Sequence, residues 1–200
     1  MTALDARRAV AYTRRMAAGV ALEIVADRVE LIEADALLVP VDGRLCRLGG
    51  AAAGALRAAL DPEERADELA YVEEELIRMR PIPNAQARAM DGVARWRKLV
   101  VAAAYPHNVD GLAYSSEECA QMVRAALASA IAVAAASEIR TLGATLIGSQ
   151  YRMTPDVAVR AFVDGLAAAR SYAVTIRWSL PDVAHRNLAE SASKRLGLVR

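Results

Sequence analysis

Two stretches of this chain carry residue types that can hold a phosphate. One runs from Asp35 to Leu56 and includes Val41-Asp42-Gly43-Arg44-Leu45-Cys46-Arg47-Leu48-Gly49-Gly50-Ala51, and the other runs from Leu146 to Pro155 and includes Gly148-Ser149-Gln150-Tyr151-Arg152-Met153-Thr154. Backbone N–H groups in a concave nest bind phosphate, and side chains would block that approach. Gly49-Gly50 and Gly148 leave the backbone bare, and one methyl on Ala51 is a mild obstruction. The Arg152 guanidinium suits a phosphate. The same glycines would also serve tight strand-to-helix turns with nothing bound.

Chemistry beyond binding has little to work with. Cys46 and Cys119 have no metal-ligand spacing, and His107 and His185 are far apart, so neither a metal nor a cofactor is expected. His107 follows Tyr105-Pro106 and has no nucleophile near it in sequence. Cys46 lies between Arg44 and Arg47, which would lower its thiol pKa if the side chains converge. A packed, structural cysteine is the expectation. Trp96 and Trp178 are expected as packing anchors.

The elements that must position these loops follow from hydrophobic pattern. Residues 3–18 read as an amphipathic helix with Arg7, Arg8, Arg14 and Arg15 on one side, a solvated face or a basic contact for a partner. Strands are expected over 21–29, 35–41, 86–90, 98–105, 141–147 and 172–178. Helices are expected over 51–60, an acidic stretch at 61–78, 115–137 from a Ser115 cap, 154–170 behind Pro155, and 181–197. From residue 98 the alternation of strand and helix implies right-handed crossovers and a mostly parallel sheet covered on both faces. Ligands then sit beyond the carboxyl ends of the strands, where both loops begin.

Composition sets the outer bounds. The chain has 200 residues and 21.4 kDa, 55% hydrophobic and 24% charged, which fits one globular domain. A net charge of +1 gives no electrostatic case for nucleic acid. No signal peptide is visible, and the longest apolar run, 125–136, is short for a membrane span, so a reduced, cytoplasmic setting is expected.

At this point the sequence resembles the macro domains, which bind ADP-ribose and related nucleotides. Their first loop reads roughly Asp-Ala-Ile-Val-Asn-Ala-Ala-Asn, two residues, Leu, then Gly-Gly-Gly-Val-Ala-Gly-Ala-Ile. Asp35, Ala36, Leu45, Gly49, Gly50, Gly54, Ala55 and Leu56 fall in register, and Leu37 and Leu38 stand for the aliphatics. Gly148, Ser149 and Pro155 keep the frame of the second loop, and 98–106 is similar to the strand between them. The resemblance implies an α/β fold: a three-layer α/β/α domain with a mixed, mostly parallel sheet. It covers residues 20–180, with an N-terminal helix at 1–19 and a C-terminal helix at 181–200 packed on the same domain.

The resemblance also implies a ligand-binding set: Asp27, Arg28, Pro40, Asp42, Gly49, Gly50, Ala51, Gly148, Ser149, Gln150, Tyr151 and Arg152. In that set Tyr151 would stack on a ribose or base. The departures matter. Where an early Asp accepts the adenine amino group, this chain has Arg28, with Asp27 one residue early and Glu30 a further substitute. Val39 replaces an Asn that positions the distal ribose in hydrolytic members, and Asp42 replaces a second, neutral Asn. Gln150 stands at a glycine position. Hydrolysis of ADP-ribosyl groups is therefore not expected. The expected function is recognition of ADP-ribose or a related phosphorylated nucleotide through a divergent pocket. The alternative is a scaffold or protein-interaction module whose pocket is degenerate, its partner met by the basic N-terminal helix or the acidic 61–78 helix. The architecture is also similar to that of the N-terminal domain of leucine aminopeptidases.

Overall fold

A computed structural model describes residues 19–60, 63, 65–105, 114–148 and 153–198. The helix expected over 3–18 lies outside the described residues. Six strands form one sheet: β1 (Ala21–Val25), β2 (Ala36–Asp42), β3 (Ala87–Asp91), β4 (Lys98–Tyr105), β5 (Thr141–Ala144) and β6 (Thr175–Ser179). Their spatial order is β1-β6-β5-β2-β4-β3. All neighbours are parallel except β3, which runs antiparallel to β4 at one edge. Among the described residues five α-helices accompany them: α1 (Gly50–Ala59), α2 (Arg65–Met79), α3 (Ser116–Ala136), α4 (Pro155–Ala168) and α5 (Val183–Arg195).

The sheet divides the core into two layers because alternate residues on a strand face opposite sides. On β2, Ala36 and Leu38 pack with α3, α4 and α5, whereas Leu37, Val39 and Val41 pack with α1 and α2. This is the expected three-layer arrangement. Trp178 is fully buried and stacks on Phe162 with centroids 4.0 Å apart, and Trp96 is buried beneath the β3–β4 hairpin.

Local chemistry sets the element boundaries. Ser115 and Glu118 form a reciprocal capping box at the head of α3: the Ser115 hydroxyl accepts from the Glu118 amide at 3.2 Å, and the Glu118 carboxylate accepts from the Ser115 amide at 2.7 Å. By length and composition α3 could cross a membrane, yet one face of it is buried against the sheet and α4. Pro155 opens α4, and the Asp182 carboxylate caps α5 by accepting from the His185 amide at 2.9 Å. α5 packs on α4 and β1.

Three strands end differently from the pattern. β1 stops at Val25 because the chain turns through a single 3-10 turn at Val29–Leu31. β5 stops at Ala144, so Thr145 and Leu146 leave the ladder. β6 covers Thr175–Ser179 instead of 172–178.

Asp35 fastens the end of the sheet where β2 begins. Its carboxylate accepts from the Arg140 and Thr141 amides, each at 2.9 Å, and its own amide donates to Thr141. Its carbonyl accepts from the Arg97 amide at 2.9 Å, joining β2 to β4 as well. Burial alone would push the Asp35 carboxyl up. The Thr141 and Arg140 amides, the Thr141 hydroxyl and the Arg97 guanidinium outweigh it and hold the pKa below its ordinary value.

Candidate functional site

A cleft of about 460 Å³ opens beyond the carboxyl ends of β1, β5 and β6. One wall is the exit from β1, Arg28, Val29 and Glu30. A second is the first half of α1, contributed by Ala51, Gly54 and Ala55. Thr145 and Leu146 follow β5, Ser179 to Asp182 follow β6, and His185 comes from the first turn of α5.

The α1 wall is built to meet an acceptor. Gly49 caps the helix in extended conformation without a side-chain hydrogen bond, and the first turn holds no acid. Among the described residues no side chain caps its leading N–H groups, and the helix dipole favours negative charge there. Gly50 has φ +64°, which glycine adopts freely and other residues resist. Gly54 exposes bare backbone to the cleft, and a Cβ there would meet nothing within 4 Å. Across the cleft Thr145 is 8% exposed, and no described residue hydrogen-bonds its hydroxyl.

The β1 wall is already neutralised. The Arg28 guanidinium pairs with the Glu30 carboxylate; the Arg28 side chain is 66% exposed and that of Glu30 only 9%. Arg95 donates to the Glu30 carbonyl from behind, and the Ser179 hydroxyl donates to the Asp27 carbonyl at 2.8 Å. Asp27 itself is exposed and does not line the cleft. On the α5 side, hydrogen bonding from the His185 amide holds the Asp182 carboxyl below its ordinary range, and the His185 ring lies 3.9 Å from that carboxylate. The Ser179 hydroxyl and the Asp182 carboxylate are thus committed to backbone groups. The arrangement offers an apolar slot and a helix N-terminus, with the His185 ring and the Asp182 carboxylate at its α5 edge.

The remaining expected site residues are placed as follows. Gly49 and Gly50 are exposed at the head of α1, directly before Ala51 in the wall. Pro40 is buried within β2, in register with Ala102 of β4, and Val39 faces the α1 and α2 layer. The Asp42 carboxylate accepts from the Leu45 amide at 2.6 Å, and its carbonyl accepts from the Cys46 amide at 2.9 Å, so it closes the turn after β2. Gly43 in that turn has no room for a side chain, since a Cβ would lie 2.0 Å from the Ile82 carbonyl. Gly148 has φ +90°. The Tyr105 hydroxyl is hydrogen-bonded to the Gly148 backbone, which only partly offsets the burial that pushes the phenol to about 12. Ser149, Gln150, Tyr151, Arg152 and His107 lie outside the described residues.

Cys46 is 2% exposed and donates its thiol to the Gly43 carbonyl. Burial pushes its pKa up. The Ile82 backbone, Arg80 and Arg88 oppose that rise, and the Asp42 carboxylate adds to it. It is a structural cysteine. Among the described residues no cluster of His, Cys, Asp and Glu could hold a metal ion.

Pattern reading did not single out Gly54, Thr145, Leu146, Ser179, Leu180 and Pro181 as cleft residues. A signal existed for the last three: Pro181-Asp182 opens a helix at the carboxyl end of a strand, the same position the two loops occupy.

No family model matches the sequence, and no curated protein matches it. Solved structures do match in shape. An Oceanobacillus iheyensis macrodomain with ADP superposes with a TM-score of 0.70 at 12% identity, covering 92% of this chain and 95% of that one. A mutant of the same macrodomain with ADPR gives 0.70 at 12% identity, over 92% and 97%. A Trypanosoma brucei macrodomain in complex with ADP gives 0.61 at 16% identity, over 87% and 68%. Likeness at this identity establishes fold: the chain has the α/β macrodomain fold, with a mixed, mostly parallel six-stranded sheet.

Proposed function

We propose that this protein is a non-catalytic binding module for ADP-ribose or a related phosphorylated nucleotide, held in the cleft beside α1. The observation that carries the reading is the pairing of the α1 N-terminus, which no described side chain caps, with the Thr145 hydroxyl across an apolar slot. A phosphate would take the N–H groups of α1, and a flat apolar group would fit among Val29, Ala55, Leu146, Leu180 and Pro181. Two structural neighbours were solved with ADP and one with ADPR, which supports a ligand of this class. Support for recognition without turnover comes from the side chains: Val39 is apolar and in the core, and the Ser179 hydroxyl and the Asp182 carboxylate each hydrogen-bond a backbone group.

One observation favours the alternative, an interaction module with a degenerate pocket. Arg28 is paired with Glu30, so the cation at the cleft best suited to an anion is engaged within the chain. Calorimetric titration of ADP-ribose separates the two readings. Saturable heat in the micromolar range supports the pocket, and no heat at millimolar ligand leaves the interaction module.

A further inference from the structure

A second concavity, about 360 Å³, lies between the loop after β2 and α2, and it shares no lining residue with the cleft. Its wall holds Leu45, Leu48 and Ile77 together with Arg47, Arg80 and Glu73. We propose that this groove is a self-association surface that takes a second copy of this chain about a twofold axis.

The loop displays an apolar side chain where burial would be the ordinary outcome. Cys46 adopts φ +47°, in the left-handed region that non-glycine residues avoid, and the Asp42 carboxylate clamps the Leu45 amide. That turn buries Cys46 and turns Leu45 outward, 41% exposed. Across the groove Ile77 is 50% exposed on α2, off the stripe of Val72 and Leu76 that packs inward. Two aliphatic side chains thus face the same open concavity.

The charges identify the occupant. Neighbouring charges on α2 are paired within the chain, Arg78 with Glu74 and Glu75. Arg47, Arg80 and Glu73 line the groove, and no described residue pairs with any of their side chains. A twofold interface sets the same patch against itself, so a groove that carries both signs is its own complement. Glu73 of one copy then faces Arg47 or Arg80 of the other, while Leu45 and Ile77 of each copy fill the opposite groove. A partner of uniform charge would leave either Glu73 or the arginines facing their own sign. The groove includes Leu48, which leads directly into Gly49, so association would also brace the loop that starts α1.

Sedimentation velocity on the full chain over a dilution series tests this. The expected result is a reversible monomer–dimer equilibrium that Ile77→Asp weakens by roughly tenfold or more. Glu73→Arg weakens it as well, and Glu73→Arg combined with Arg80→Glu restores it. All three positions are exposed, so thermal unfolding should confirm that each variant remains folded. A chain that sediments only as a monomer at about 200 µM overturns the proposal, since specific dimers are populated well below that concentration. So does a dimer indifferent to Ile77→Asp, or a charge swap that fails to restore association.

Discussion

Gly54→Glu should move stability and binding in opposite directions. Gly54 is the fifth residue of α1 and lies in the cleft wall, and a Cβ there meets nothing within 4 Å. The substitution therefore creates no clash. Replacing glycine inside a helix is worth about 0.5–1 kcal/mol, or a rise in Tm of about 1–4 °C for a domain of this size. The same side chain brings a carboxylate into the space a phosphate would occupy. At a separation of ~6 Å and an effective dielectric of ~20, one pair of like charges costs about 3 kcal/mol, a loss of roughly a hundredfold in affinity. Salt would soften this where the cleft is open to solvent. Thermal unfolding and calorimetry with ADP-ribose read the two effects separately, and Gly54→Ala is the control that keeps the stability gain without the charge. Unchanged affinity in Gly54→Glu would show that the ligand does not pass α1. A lower Tm would contradict the open space beside Gly54.

Glu30→Gln should raise affinity for ADP-ribose by about 3–10-fold, because it frees Arg28 and removes a buried negative charge; a fall would mean that the carboxylate itself holds the ligand. Asp35→Asn should destabilise the fold by about 1–2 kcal/mol at neutral pH through weakened charge-assisted hydrogen bonds. The folded pKa of Asp35 lies below its unfolded value near 3.8, so this contribution is full above that value and fades as pH falls through the folded pKa. Denaturant unfolding of both proteins across acid pH should show their difference shrinking, and a difference constant down to the lowest pH would refute the assignment. Cys46 and Cys119 are both buried, and burial pushes Cys46 up, so thiol titration of the native protein should be slow until denaturant is added. Rapid, stoichiometric reaction of one thiol would contradict the packing described around Cys46.

What the sequence disclosed and what it did not divide along a physical line. The β2 run is apolar at six successive positions and buried on both faces, and such runs are legible because both neighbouring layers demand the same residue type. The capping box at Ser115 and the Pro155 start of α4 are local hydrogen-bond chemistry and are equally legible. The place of β1 beside β6 is not, because that pairing joins residues about 150 apart and leaves no local trace. The site splits the same way. Ala51 and Arg28, both implied by register with the macro domains, line the cleft. Thr145 lies inside the strand expected over 141–147, since a β-branched residue between aliphatics gives no hint that the ladder ends at Ala144. Asp42 resembles a ligand position in sequence, but only coordinates reveal that its carboxylate is occupied by the Leu45 amide.

The most direct test of the account is an amide chemical-shift titration of the full chain with ADP-ribose. It reports both whether the nucleotide binds and where. The account predicts saturable shifts concentrated at Gly50, Ala51, Gly54, Thr145, Leu146 and Leu180, the residues of the α1 wall and the ends of β5 and β6. Spectra unchanged at millimolar nucleotide, or shifts confined to Leu45, Ile77 and Arg80 on the other groove, would contradict it.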